Sequence, residues 1–144
     1  MQIRKWKYED ILRIAELEKE CFPKEPWSFQ MLASSFGSDN FIGVAAEDGG
    51  ELIGYGGITV AADTADIDNI AVTEPYRRGG AGTAVLNRLL ECASERGAKK
   101  VFLEVRVSNT AAMSLYLKCG FGGVYARTRY YSDGEDCLVM AKEL

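Results

Sequence analysis

A glycine-rich run, Arg77-Arg78-Gly79-Gly80-Ala81-Gly82-Thr83, is the part of the sequence whose residue types most clearly indicate ligand chemistry. It stands between an apolar segment with strand character and an amphipathic segment with helix character. Glycine has no Cβ, so the backbone of such a run can approach a ligand closely. The first N–H groups of a helix have no carbonyl partners within it, and these free donors bind anions such as phosphate. A plain turn that enters a helix is the alternative, and the glycines alone do not decide between the two.

The spacing of these glycines excludes two common nucleotide motifs. The run does not fit the dinucleotide fingerprint G-x-G-x-x-G. It does not fit the P-loop G-x-x-x-x-G-K-[ST] either, because no lysine follows Gly82. Nicotinamide cofactors and nucleoside triphosphates are therefore disfavoured as ligands.

Glu104 is a candidate for proton transfer, because it interrupts the otherwise apolar segment Val101-Phe102-Leu103-Glu104-Val105. A carboxylate is rarely buried in a strand without a partner or a function. The partner could be Arg106, which stands two residues along and so on the same face of the strand. The residue types leave a general base and an ion pair as open alternatives.

Tyr116 is a second candidate, since a phenol titrates near pH 10 and can donate a proton, although core packing is the more frequent role of an aromatic residue. The chain contains no histidine. Acid–base chemistry must therefore use a carboxylate, tyrosine, lysine or thiol. The same absence disfavours Cys119 as a nucleophile, because a catalytic thiol needs a neighbouring base or positive charge.

The remaining sequence predicts the elements that position these residues. The spacing of apolar residues predicts a short strand at Ile3, a helix over 8–20 and a helix that begins after the N-cap Ser28. Strands over 41–46 and 52–60 form a hairpin through Asp48-Gly49-Gly50, and a third strand covers 65–72. In that third strand Ile67 and Ile70 stand three apart, which indicates either a β-bulge near Asn69 or a strand buried on both faces.

The second half of the chain reads as a βαβ unit followed by a hairpin. A helix from about Ala81 to Arg96, ended by Gly97, links the third strand to a buried strand over 101–107, so these strands run parallel. Asn109 is a predicted N-cap for a short helix that ends at Gly120. Strands over 124–131 and 136–141 close the fold around Asp133-Gly134.

Composition bounds the class of protein. A chain of 144 residues with net charge −4 predicts one globular domain, residues 1–144, and argues against nucleic acid as a partner. No apolar run has the length of a membrane span, so we expect no membrane partner and a cytoplasmic location. The four cysteines form no C-x-x-C pair, and with histidine absent this predicts no metal site.

Several motifs, taken with the order of the elements, resemble the GCN5-related N-acetyltransferase (GNAT) superfamily. The family motif Q/R-x-x-G-x-G/A is met in full by residues 77–82, and it is preceded by Asn69-Ile70-Ala71-Val72. Asn109 and Leu115-Tyr116-x-x-x-Gly120-Phe121 follow in the expected order. Further motifs resemble the bacterial ribosomal-protein N-terminal alanine acetyltransferases, and these are Phe22-Pro23-x-x-x-Trp27-Ser28, Leu103-Glu104-Val105-Arg106-Val107-Ser108-Asn109, and Arg129-Tyr130-Tyr131 with Gly134-Glu135-Asp136.

The resemblance implies an α/β (α+β) fold with a mixed, mainly antiparallel, twisted sheet, a central splayed pair of parallel strands and flanking helices. It implies acetyl-CoA as the acetyl donor, Glu104 as the general base and Tyr116 as the general acid. The residues it assigns to the donor are Ile70, Ala71, Val72, Arg78, Gly79, Gly80, Ala81, Gly82, Thr83 and Asn109.

The implied acceptor is the N-terminal amine of a protein, above all the alanine of a small-subunit ribosomal protein, with direct transfer in a ternary complex. A small-molecule amine is the alternative acceptor, and a non-catalytic acyl-CoA sensor is the alternative class. Four acids are expected to flank the acceptor cleft and to favour a basic N-terminal segment, with Trp27, Tyr130 and Tyr131 as its walls. These acids, which could equally be a solvated surface, are Asp66, Asp68, Glu135 and Asp136. The sequence leaves the oligomeric state open between a monomer and a weak dimer.

Overall fold

The computed structural model describes residues 1–144, which form one seven-stranded sheet and four α-helices. The strands are β1 (Gln2–Lys5), β2 (Phe41–Asp48), β3 (Glu51–Ala61), β4 (Thr64–Val72), β5 (Lys100–Arg106), β6 (Gly122–Arg127) and β7 (Cys137–Glu143). The helices are α1 (Ile11–Cys21), α2 (Phe29–Phe36), α3 (Ala81–Glu95) and α4 (Thr110–Lys118). None of the helices is long and apolar enough to span a membrane.

The sheet has the order β1-β2-β3-β4-β5-β7-β6, and only β4 and β5 run parallel. Their ladder is short, since it joins Thr64–Asp66 to Lys100–Phe102 and stops there. β4 continues to Val72 and β5 to Arg106 without pairing to each other. The mixed sheet and its splayed parallel pair are confirmed, and the splay opens a cleft at the carboxyl ends of these two strands.

The predicted β-bulge lies in β4. Asn69 pairs with Gly57 and Ile67 pairs with Ile58, so Asp68 has no partner on β3. The extra residue restores the phase, because Ile67 and Ile70 both pack in the core on the α3 side of the sheet. The alternative, an unbroken strand buried on both faces, is wrong.

Two apolar cores hold helices against the two faces of the sheet. The larger core has 22 buried residues and includes Val85, Leu86 and Leu89 of α3. Complete burial of such a side chain stabilises the fold by about 1.5–3 kcal/mol. α3 lies close to the sheet because Gly56 has no side chain, and a Cβ there would stand 2.8 Å from Leu89 Cδ1. The smaller core, of 10 buried residues, packs α1 and α2 on the opposite face.

The closing hairpin differs from its prediction. β6 ends at Arg127 rather than Tyr131. The backbone leaves the strand at Arg129, which has φ +50°. The N–H groups of Tyr130 and Tyr131 then both donate to Glu135 O, at 3.1 and 3.2 Å. The two tyrosines therefore lie in a loop beside the cleft instead of alternating along a strand.

Candidate active site

The largest cleft, with a volume of about 880 Å³, lies where β4 and β5 diverge. Its walls come from the segment that joins α1 to α2, from β4, β5 and α4, and from the β6–β7 loop. Among the residues predicted from sequence, those that line it are Trp27, Asp68, Ile70, Glu104, Asn109, Tyr116, Tyr130, Tyr131 and Glu135.

The glycine-rich run forms the N-terminus of α3. Gly80 precedes the helix with φ +87°, and Arg78 also has a positive φ of +69°. No N–H group of residues 78–83 donates a hydrogen bond within the protein, whereas Ala84 N–H donates to Gly80 O at 3.0 Å. Consecutive unpaired N–H groups at a helix N-terminus suit an anion such as a pyrophosphate.

Arg77, the first residue of the run, has a structural contact. Its Nε–H donates to Val72 O at 2.9 Å, and a guanidinium N–H donates to Cys21 Sγ at 3.5 Å. These bonds tie the run to the end of β4 and to the last turn of α1. Arg78 is exposed and has no salt bridge.

The edge of β4 that faces β5 is open beyond Asp66, because the parallel ladder ends there. As strand residues, Ile70, Ala71 and Val72 pair only with β3, and on the open edge only the carbonyl of Val72 is already engaged, by Arg77 Nε–H and Cys21 Sγ–H. An open strand edge offers N–H and C=O groups to an extended, amide-bearing ligand, which pairs as an additional strand would. These residues therefore lie beside the cleft with a binding edge available.

Glu104 faces the cleft with 40% of its side chain exposed. Tyr130 O–H donates to Glu104 Oε1 at 3.2 Å, and Arg127 Nε lies 3.3 Å from Oε2. The alternative ion pair with Arg106 is wrong, because Arg106 contacts acids of the β6–β7 loop. The expectation of a buried carboxylate is also wrong, since this face of β5 is open to the cleft.

Tyr116 is only 7% exposed, and its ring meets Phe121 edge-on at 5.8 Å. Its side chain lines the cleft and its hydroxyl makes no hydrogen bond within the protein. Burial raises the pKa of Tyr116 to about 12. The phenol is therefore protonated at neutral pH, as a proton donor must be.

Asn109 acts as the predicted N-cap of α4, since its Oδ1 accepts from Ala112 N–H at 3.2 Å. Its side-chain amide N–H groups have no partner in the protein and the residue lines the cleft. The cap fixes the start of α4 and so the position of Tyr116.

Only two of the four predicted acids line the cleft, Asp68 and Glu135. Burial raises the pKa of Asp68, which accepts a hydrogen bond from Thr59 Oγ1 at 2.9 Å. Asp136 instead accepts from Arg129 N–H at 2.9 Å and so shapes the β6–β7 loop. Asp66 is largely exposed, and partial loss of hydration together with the charge of Glu104 raises its pKa.

A network of ion pairs joins the α1–α2 segment to the β6–β7 loop, and we call it the loop clasp. Lys24 Nζ lies 2.9 Å from Asp133 Oδ2, and Ser132 N–H donates to Glu25 Oε1 at 2.9 Å. Arg106 Nη1 lies 3.0 Å from Asp133 Oδ2 and 3.0 Å from Glu135 Oε1. The clasp therefore links both loops to β5 beside the cleft, and its members are Lys24, Glu25, Arg106, Ser132, Asp133 and Glu135.

Sequence reasoning missed the clasp, Arg127 and Glu18. The clasp and Arg127 depend on loop and edge-strand geometry that carries no sequence pattern. Glu18 is the only charged residue among those classed as buried. It did have a signal, because it stands four residues after Ile14 on the apolar face of α1.

The family model described as "Acetyltransferase (GNAT) family" matches residues 11–121. A putative ribosomal protein bS18-alanine N-acetyltransferase of Bacillus subtilis is 36% identical over 142 residues, 96% of this chain and 92% of the relative. The ribosomal protein bS18-alanine N-acetyltransferase of Escherichia coli K12 is 37% identical over 119 residues, 81% of this chain and 80% of the relative.

A solved structure gives the same result for the fold. The crystal structure of the Escherichia coli ribosomal-protein-S18-alanine N-acetyltransferase superposes with a TM-score of 0.88 at 32% identity, covering 99% of this chain and 92% of that one. The match of the family model to most of the chain, together with these identities, gives one conclusion: the chain belongs to the GNAT family of N-acetyltransferases.

Proposed function

We propose that this acetyltransferase transfers an acetyl group from acetyl-CoA to the N-terminal α-amino group of a protein, foremost the N-terminal alanine of a small-subunit ribosomal protein. The observation that carries the proposal is a cleft lined by two proton-transfer groups, Glu104 and Tyr116, and by the open edge of β4 at Ile70. The unpaired N-terminus of α3 lies beside this cleft, because a Cβ on Gly82 would stand 3.8 Å from Val72 Cγ2 and 3.4 Å from Leu115 Cδ2. The acceptor follows from the relatives that are 36–37% identical and are named for acetylating the alanine of ribosomal protein bS18.

The donor fits the residues present. The unpaired N–H groups of residues 78–83 hold the pyrophosphate, and the free edge of Ile70–Val72 pairs with the amides of the pantetheine arm. This places the thioester inside the cleft between β4 and β5. Asn109, which has unpaired side-chain amide N–H groups at the N-terminus of α4, is a further polar contact for acetyl-CoA.

Glu104 and Tyr116 handle the protons. An α-amino group has an ordinary pKa of about 7.7–8.0, so much of it is protonated at neutral pH and cannot attack. Glu104 takes that proton, through a water, and the neutral nitrogen attacks the thioester carbonyl carbon. The carbon–sulfur bond then breaks, and Tyr116 gives its proton to the departing thiolate. The acylated nitrogen releases its second proton through water, which leaves the neutral amide and returns a proton to the Tyr116 phenolate, while Glu104 passes the first proton to solvent. The main contribution of the cleft is to align the two substrates.

We also propose that residues 1–144 work as one acetyltransferase domain. The family model ends at residue 121, but Tyr130, Tyr131 and Glu135 from the segment that follows complete the cleft wall.

The test measures release of the coenzyme A thiol with acetyl-CoA and one of three additions: a peptide with a free N-terminal alanine, a polyamine, or no acceptor. We expect rapid release only with the peptide, and expect Glu104→Gln to abolish most of it. Release that is faster with the polyamine would favour a small-molecule acceptor and overturn the proposal. Binding of acetyl-CoA without release in any mixture would indicate a sensor.

A further inference from the structure

Glu18 lies outside the reacting centre and its burial requires an explanation. Its side chain is 0% exposed, although it carries a carboxyl group. It makes no salt bridge. Burial of a carboxylate is unfavourable unless several donors bind its oxygens. The residues that donate hydrogen bonds to Glu18 therefore indicate its function.

Three separate elements donate to this one carboxylate. The backbone N–H of Trp27, in the α1–α2 segment, donates to Oε1 at 2.8 Å. Asn69 Nδ2–H, from the β4 bulge, lies 3.1 Å from Oε1 and 3.2 Å from Oε2. Tyr55 O–H, from β3, donates to Oε2.

Two of these donors line the cleft. Trp27 and Asn69 both contribute to its wall, and both also line a smaller apolar cavity behind it. Trp27 belongs to the segment that carries Lys24 and Glu25 of the loop clasp. Asn69 faces α1 only because the bulge at Asp68 shifts the phase of β4. The hydrogen bonds of Glu18 thus set the distance between the α1–α2 segment and the bulge.

We propose that Glu18 is a positioning residue for the acceptor, which holds Trp27 and Asn69 as one wall of the acceptor half of the cleft. This inference rests on the proposed function, because it assigns that wall to the acceptor peptide. Glu18 touches neither substrate and acts through these two residues. The hydrogen bonds of Glu18 go to Trp27, Tyr55 and Asn69, and none goes to the donor half at residues 70–72 and 78–83.

The chain offers a matched pair of variants. Glu18→Leu keeps a side chain of similar size but has no acceptor atom, so the backbone N–H of Trp27 and the side-chain amide of Asn69 both lose their acceptor. Tyr55→Phe removes a hydrogen bond to the same carboxylate and leaves the bonds to Trp27 and Asn69 in place. Both variants disturb the same buried network, and only the first disturbs the wall.

Steady-state kinetics then separate the two substrates. We expect Glu18→Leu to raise the KM of the alanine peptide by about tenfold or more, because small displacements of positioning groups have large effects. The KM of acetyl-CoA should change by less than about twofold, which is within the effect of distant substitutions. Tyr55→Phe should leave both KM values within the same range even if its Tm falls.

A second measurement does not depend on activity. In a Trp6→Phe background, the fluorescence of Trp27 reports its surroundings, since the chain has two tryptophans. We expect Glu18→Leu, but not Tyr55→Phe, to move the emission to longer wavelength. Parallel increases in both KM values, or equal effects of the two variants on the peptide KM, would overturn the proposal. Wild-type protein that fails to acetylate the peptide would instead contradict the proposed function.

Discussion

The two proposed proton-transfer residues differ in their exposure to water. The Glu104 side chain is 40% exposed, so it can exchange protons with solvent between turnovers. Tyr116 is 7% exposed, and burial raises its pKa to about 12. This difference in surroundings supports the proposal that Glu104 acts as the base and Tyr116 as the acid.

Replacement of Tyr116 by phenylalanine tests the acid. We expect kcat to fall by about 100-fold, since general acid catalysis contributes roughly 10²–10⁴-fold. Acetyl-CoA affinity, measured by calorimetry, should remain within about twofold of wild type because the ring and its contact with Phe121 are kept. An unchanged kcat would remove Tyr116 from the mechanism.

The buried carboxyl of Glu18 predicts a pH-dependent stability. Burial raises the pKa of Glu18 above its ordinary value of 4.5. The folded state therefore binds this proton more tightly than the unfolded state does. Its stabilising contribution is fully present below the unfolded pKa and is lost as pH rises through the folded pKa.

Glu18→Gln removes this titration. We expect the free energy of unfolding of the wild type, minus that of the variant, to be larger at about pH 5 than at about pH 8. Urea denaturation at the two pH values measures this difference. Glu16→Gln, on the exposed side of α1, controls for the substitution itself. A difference that grows with pH would show that the donors around Glu18 outweigh burial and lower its pKa.

Two elements are proposed to shape the site: the N-terminus of α3, which would bind the donor, and the loop clasp, which holds two loops beside the cleft. Gly80 has φ +87° and nothing within 4 Å of the position of a Cβ, so any effect of an added methyl group arises from the backbone. Gly50, in the β2–β3 turn, has φ +82° and equally open surroundings. These two glycines form a matched pair, one beside the donor site and one distant from it.

Gly80→Ala should cost about 1–2 kcal/mol in stability, because a Cβ disfavours a left-handed backbone, and Gly50→Ala should cost the same. Only Gly80→Ala should weaken acetyl-CoA binding, by about tenfold, since the strain reorients the N–H groups that bind the pyrophosphate. Calorimetry measures the affinity and urea denaturation the stability. Equal affinities of the two variants for acetyl-CoA would contradict the assignment of this loop.

The loop clasp predicts a local effect on dynamics. The pKa of Asp133 is well below its ordinary value, chiefly because Lys24 donates to it, with Glu135 N–H and Arg106 as further donors. Asp133→Asn removes the charge at the centre of the clasp. We expect faster amide hydrogen exchange in residues 24–28 and 129–135, where the two loops lie.

The surface pair Arg88–Glu91, 3.7 Å apart on α3, supplies the control. Glu91→Gln should leave exchange in both loops unchanged, because an exposed pair of this kind contributes little. Unchanged exchange in Asp133→Asn would show that the clasp does not order the loops.

The elements differ in how well the sequence predicts them, and the reason is physical. The bulge at Asp68 was predictable because the phase of apolar residues changes between Ile67 and Ile70. The position of Tyr130 was not, because hydrogen bonds to Glu135 O and a left-handed Arg129 take the chain off β6. The contact of Glu104 with Arg127 instead of Arg106 depends on that same loop. Local pattern therefore predicts strands and caps, whereas long-range pairing decides the partners of the site residues.

In the whole molecule, the two sides of the sheet have different tasks. The side covered by α3 carries the larger core and the helix N-terminus proposed to bind the donor. The side covered by α1 and α2 carries the smaller core, with the carboxyl of Glu18 beside it and the clasp at its rim. The splay of β4 and β5 leaves an opening in the sheet between the two sides. An acetyl donor and an acceptor that enter from opposite sides can meet in this opening.

The most direct test of the account is mass spectrometry of one peptide that carries a free N-terminal alanine and an internal lysine, after incubation with the protein and acetyl-CoA. We expect one acetyl group, on the α-nitrogen, and none when that nitrogen is blocked beforehand. Acetylation of the lysine, or of neither nitrogen while acetyl-CoA remains bound, would contradict it.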